Sequence, residues 1–136
     1  MINVKHEGEY DAENNIVFLK FINTPQVFED ADYLCKENER WYKKGGENKV
    51  WVIPDVTEMG MPSVKLVKYF HEKERPLNEK YIIDYCVVCT KTLLKISAQL
   101  FNTLMRRKSM IFKTREEAVD WVLKEQETRG KFSPLQ

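Results

Sequence analysis

The sequence predicts one α/β domain in which an N-terminal β-hairpin leads into parallel strands alternating with helices, in the order ββαβαβαβα. Three observations carry that expectation. From Trp51 to Glu125, short apolar runs alternate with amphipathic segments almost without slack. A polar connection from Tyr10 to Asn14 joins two strand-like stretches upstream of them. The length of 136 residues allows one core rather than two. At that size folding buries about two thirds of the unfolded chain's surface, so neither a metal nor a disulfide is needed to hold the domain.

Taken in order, Ile2 to Glu9 and Asn15 to Ile22 are the strands of the hairpin, and the apolar run Ile16-Val17-Phe18-Leu19 marks the second as central. Thr24-Pro25 reads as a helix start, because the hydroxyl can accept from an orphan N–H and proline loses nothing at the first helical position. Val27, Phe28, Ala31, Leu34, Cys35, Trp41 and Tyr42 then recur near period 3.6 until Gly45-Gly46 stops the helix. Val50 to Ile53 is a strand buried on both faces. Pro54 is expected to end it and to leave Asp55 just beyond its carboxyl end. Ser63 caps a helix through Val64, Leu66, Val67, Tyr69 and Phe70, expected to fade in the charged stretch His71 to Arg75 before Pro76.

Tyr81 to Cys89 is the next strand, followed by a helix from Thr90 or Thr92 to Met105 and a last strand from Ser109 to Lys113. Thr114-Arg115-Glu116-Glu117 is a capping box, opening a helix buried through Ala118, Trp121 and Val122. The expected architecture is a mixed sheet of about five strands with four helices. Residues 1–127 form the domain, and 128–136, with Gly130 and Pro134, a flexible tail.

In this arrangement the chain resembles the STAS-type, SpoIIAA-like domains, those of the anti-sigma factor antagonists and of many small STAS-like bacterial and archaeal proteins, distantly akin to the CRAL-TRIO lipid-binding domains. The residues that carry the likeness are the strand Val50 to Val56 with its Asp55-Val56-Thr57 exit, the strand Tyr81 to Thr90, and the ending Ile111 to Val122. The resemblance implies a SpoIIAA-like fold and a non-catalytic regulatory or protein-interaction module. It implies a protein partner, with a lipid or another small anionic ligand as the alternative, and leaves a homodimer open. One departure stands out. Where the antagonists carry Asp-Ser-Ser-Gly, this chain reads Glu58-Met59-Gly60-Met61-Pro62-Ser63, so Ser63 remains near the helix start without the aspartate before it.

Ligands on open α/β sheets sit beyond the carboxyl ends of the strands, where helix N-termini offer unpaired N–H groups. That places the candidate rim at Asp55, Thr57, Met59, Met61, Ser63, Thr90, Lys91 and Thr92, with Ser63 and Thr57 as candidate phosphoacceptors. Between Lys91 and Arg115 seven basic residues stand with no acidic one, and Arg106, Arg107 and Lys108 form the candidate contact for an anion or a membrane surface. The chemistry is otherwise spare. Cys86 and Cys89, three apart on a strand, point to opposite faces and cannot share a metal or a disulfide. His71 reads as a surface residue of a solvated helix end, and no phosphate loop, nucleophile elbow or metalloprotease helix occurs. The expectation is therefore no enzyme, no cofactor and no metal. A net charge of +1 offers nucleic acid no field. With no apolar run long enough to cross a bilayer and three cysteines outside any framework, the expected compartment is the cytoplasm.

Overall fold

A computed structural model describes residues 2–90 and 110–135. Within them β1 (Lys5–Asp11), β2 (Ile16–Ile22), α1 (Phe28–Tyr42), β3 (Asn48–Asp55), α2 (Val64–Tyr81), β4 (Ile82–Tyr85), β5 (Val87–Val88), β6 (Ile111–Phe112), α3 (Arg115–Arg129) and β7 (Ser133–Pro134) follow in chain order. The strands join in one mixed sheet ordered β1-β2-β3-β5-β6, with β4 and β7 also paired to β3. β1 is antiparallel to β2 and β7 to β3, while the other pairs are parallel. The helix predicted to start at Thr90 or Thr92 and run to Met105 lies, beyond Thr90, outside the described residues.

Two-sided burial explains the apolar runs. Along β2 and β3, Val17, Leu19, Val50 and Val52 face a cluster shared with Leu34 and Tyr42 of α1, whereas Ile16, Phe18, Trp51 and Ile53 face Ala118 and Val122 of α3. The same alternation separates the two cysteines, with Cys89 in the first cluster and Cys86 in the second. Helices thus cover both faces of the central strands.

Four local expectations change. β3 does not end before Pro54 but runs through it to Asp55. The Val52 carbonyl accepts from Cys86 and the Val56 N–H donates to Val88, so Pro54 falls midway along that edge. It has no N–H to give, and the facing strand is interrupted there, at Cys86 between β4 and β5. Nor does α1 begin at Thr24-Pro25. It starts at Phe28, because the buried Asp30 carboxylate accepts from the N–H groups of Gln26 (2.8 Å), Val27 (3.2 Å) and Asn3 (2.8 Å) and so holds the turn before it. Burial opposes the charge on Asp30, yet those donors keep its pKa below the ordinary value.

α2 does not fade at His71. It continues past Pro76 to Tyr81, and Glu72, whose carbonyl loses its helical donor to the proline, lies on the exposed side. The fourth change is at the C-terminus. The stretch read as a flexible tail holds the end of α3, and its Ser133–Pro134 strand pairs with Asn48 and Lys49. Asn15, in the left-handed region at φ 57° and fully buried, secures that end: its Nδ2 donates to the carbonyls of Lys49 (2.9 Å) and Lys131 (2.8 Å), and its Oδ1 accepts from the Tyr10 hydroxyl (2.8 Å).

Trp51 is fully buried and meets Trp121 edge-on at 6.4 Å, while Trp121 is only partly covered. Trp51→Ala is therefore expected to cost about 3 to 5 kcal/mol and Trp121→Ala distinctly less. Urea midpoints check the order, and equal shifts for the two variants would contradict the assignment of Trp51 to the central strand.

Candidate functional site

The loop after β3 carries Thr57, Met59 and Met61 of the candidate rim and leads to Ser63. Asp55 Oδ1 accepts from the Thr57 N–H at 2.9 Å, a local turn that starts the loop. The loop is then fastened to the segment after β2: the Glu58 carbonyl accepts from Asn23 at 3.1 Å, the Glu58 carboxylate pairs with Lys20, and Gly60 packs so closely on Thr24 that a Cβ there would lie 1.9 Å from its Oγ1. Ser63 Oγ accepts from the Leu66 N–H at 3.2 Å and caps α2, as its sequence position implies. Met59 turns inward and Met61 outward. Thr90 is exposed beyond β5, whereas the Thr57 Oγ1 atom is buried with no hydrogen-bond partner among the described residues. Lys91, Thr92, Arg106, Arg107 and Lys108 lie outside the described residues.

At this edge the N-terminal ends of α1 and α2 leave four large apolar side chains in solvent: Val27 is 45% exposed, Phe28 43%, Met61 53% and Val64 55%. Phe28 stacks on Tyr69 of α2 at 4.4 Å, and the Lys65 ammonium lies 5.5 Å from the Phe28 ring centre, so the two helix ends form one surface.

Beneath the rim, between α1, α2 and the sheet, lies a cavity of about 130 Å³. Leu19, Val52 and Pro54 form its floor, Leu66, Val67 and Phe70 one wall, and Met59 with Pro62 the rim side. Its polar residues are Asn38, Glu74 and Asn78 together with Tyr42 and Tyr85. The Tyr42 hydroxyl donates to Glu74 Oε1 at 2.5 Å and Asn38 Nδ2 donates to the same oxygen at 3.3 Å. Asn38 Oδ1 is in turn 2.7 Å from His6 Nε2 on β1. Glu74 is 2% exposed, and its Oε2 has no hydrogen-bond partner among the described residues.

Burial pushes the Glu74 pKa up to about 7, against hydrogen bonds from Tyr42, Cys35 and Asn38 that favour the carboxylate. Burial and the neighbouring Glu74 raise the Tyr42 hydroxyl and the Cys35 thiol well above their ordinary values. His71, one turn before Glu74, is buried rather than on the surface, and burial together with Arg75, whose Nη2 is 2.9 Å from its Nε2, lowers its pKa. Neither Glu74 nor Asn38 was singled out by sequence. The available signal was spacing: Val67, His71, Glu74, Asn78 and Tyr81 step by four and three residues along α2, so a buried stripe passes through the stretch that looked solvated.

The raised pKa has a consequence of definite sign. Between its ordinary value of 4.5 and about 7, Glu74 keeps a proton in the folded chain that the unfolded chain has released. Its contribution is complete below the lower value and is lost as pH rises through the upper one, on the order of 3 kcal/mol in all. His6 and His71, both depressed by burial, act oppositely and cost stability as pH falls below their ordinary 6.5. The comparison of wild type with Glu74→Gln removes that background. Wild type should lose stability relative to the variant between pH 4.5 and 7.5 in urea titrations, and parallel curves would contradict the burial of an ionisable Glu74.

No family model matches the sequence, and no curated protein matches it. Solved structures do. An uncharacterized protein with a SpoIIAA-like fold from Shewanella loihica PV-4 superimposes with a TM-score of 0.64 at 14% identity, covering 90% of this chain and 95% of that one. An anti-sigma factor antagonist from Mycobacterium paratuberculosis gives a TM-score of 0.62 at 11% identity, covering 89% and 95%. The hairpin, the parallel strands and the helices on both faces are thus those of the SpoIIAA-like, STAS-type fold.

Proposed function

We propose that the chain is a non-catalytic regulatory module of STAS-like type that docks a protein partner on the edge formed by the N-terminal ends of α1 and α2. The observation that carries this reading is the exposed set Val27, Phe28, Met61 and Val64, since apolar side chains grouped at one edge mark an interaction surface better than the same residues scattered. The fold shared with an anti-sigma factor antagonist supports it. Ser63 lies between Met61 and Val64 and is exposed, so a phosphate there would meet the positive end of α2 while placing charge amid the apolar set. Of the two candidate acceptors, Thr57 has its hydroxyl buried, which leaves Ser63 as the better one.

An apolar edge suits a protein surface rather than nucleic acid, and a second copy of the chain is a form that such a partner can take. The alternative of a lipid or small anionic ligand draws no support from the cavity, whose charged group is a carboxyl. No helix among the described residues is long and apolar enough to cross a membrane. Three buried cysteines with no disulfide among them fit a reducing cytoplasm.

The test is capture of partners from host lysate on immobilised wild type, Val64→Asp and Ser63→Asp, with self-association followed by analytical ultracentrifugation. Aspartate retains capping ability at position 63, so the helix should persist. Both substitutions should weaken retention by about tenfold or more. A specific partner held equally by all three proteins would overturn the docking edge.

A further inference from the structure

We propose that the partner docked on the edge between α1 and α2 is anchored by one large, uncharged apolar side chain of its own, a phenyl or branched aliphatic group, which enters the cavity beneath that edge. This rests on the docking edge argued above and adds what the partner must present there.

The cavity and the edge are two sides of the same two segments. At the start of α1, Pro25 and Ala31 line the cavity, while Val27 and Phe28 between them stand in solvent. At the start of α2, Met59, Pro62 and Leu66 line it, while Met61 and Val64 stand in solvent. Lining and exposed residues thus interleave along both segments. The cavity is partly open to solvent, and Met59 and Pro62, on its rim side, are only half-buried. An apolar contact at the edge therefore lies beside an opening rather than a flat wall.

Size and chemistry set the class of anchor. The volume of about 130 Å³ is close to the roughly 150 Å³ of an engineered apolar cavity able to hold benzene, so a phenyl or isobutyl group is of the right size. The lining is mainly aliphatic and aromatic, and its polar members are engaged with one another, Tyr42 and Asn38 both donating to Glu74. A charged anchor would surrender its hydration for nothing in return. An unfilled apolar cavity, by contrast, forfeits packing that an entering apolar group restores. Protein interfaces draw most of their affinity from a few large side chains seated in such pockets.

The probes are N-acetylphenylalaninamide, which carries the proposed anchor on a short piece of backbone, and toluene, which is the ring alone. N-acetylalaninamide and N-acetyllysinamide are the controls. In NMR titrations of the wild-type chain, both ring-bearing probes should move the methyl resonances of Leu66 and Val67 in the cavity, and N-acetylphenylalaninamide should also move those of Met61 and Val64 on the edge. It should bind about tenfold tighter than either control. Ala31→Leu, which fills the cavity, should keep or raise the urea midpoint while weakening this binding about tenfold. Leu66→Phe is the second filling variant, and if neither folds by circular dichroism the wild-type titrations decide. Immobilised Ala31→Leu should also retain a partner captured from host lysate about tenfold less than wild type. A partner held by Ala31→Leu as by wild type, yet lost by Val64→Asp, would overturn the anchor and leave the docking edge standing. Equal retention by all three would overturn both. Binding of toluene without binding of N-acetylphenylalaninamide would give the cavity to a free small molecule, and unmoved Leu66 and Val67 methyls with either probe at millimolar concentration would close it to any anchor; each result contradicts the proposal.

Discussion

A carboxyl group enclosed between two helices and a sheet must find donors or hold a proton, and Glu74 does some of each. That requirement explains the helix pair around it. The stripe on α2 meets a stripe on α1 made of Ala31, Leu34, Cys35, Asn38 and Tyr42, and from it Asn38 and Tyr42 both donate to Glu74 Oε1. Asn38 then passes the connection to His6 on β1, so one run of hydrogen bonds ties the edge strand, α1 and α2 together. An apolar residue at position 74 would let the helices pack with no such run. Keeping the acid defines which residues must lie opposite it.

The two faces of the sheet divide the work. The α3 face is dense and apolar, with Trp51 wedged against Trp121 and the Arg129 guanidinium 5.2 Å from the Trp51 ring centre. Its edges are held by Asn15, which joins the hairpin, β3 and the segment after α3. The α1–α2 face carries the polar cluster, the cavity and the exposed helix ends. Stability concentrated on one face frees the other to keep a buried acid and a gap, both of which lower stability on their own.

The frame of the fold was legible because its signals are strong and local. Continuous apolar runs at β2 and β3 require helices on both faces, and Ser63 and Thr114 cap the helices that their positions imply. What escaped was settled over long sequence separations. Thr24-Pro25 has good cap chemistry, yet Asp30 overrides it by binding Asn3 from another part of the chain. Pro54 looked like a strand end, but a break in the facing strand at Cys86 accommodates it. His71-Glu72-Lys73-Glu74 looked solvated by composition, although two of its four residues are buried because of their position on the stripe. Around the candidate rim, the turn after Asp55 and the Ser63 cap were readable because both are short-range. The deepest chemical group beneath it was not, because a lone glutamate reveals burial only through the residues opposite it.

The account rests on the state of that glutamate, and the most direct measurement is a carbon-13 NMR titration of its side-chain carboxyl, assigned by comparison with Glu74→Gln. A midpoint near 7, well separated from those of the exposed glutamates, is the expected result. A midpoint in the ordinary carboxylate range near 4.5 would show that the group reaches water, and would contradict both the buried cluster and the cavity built around it.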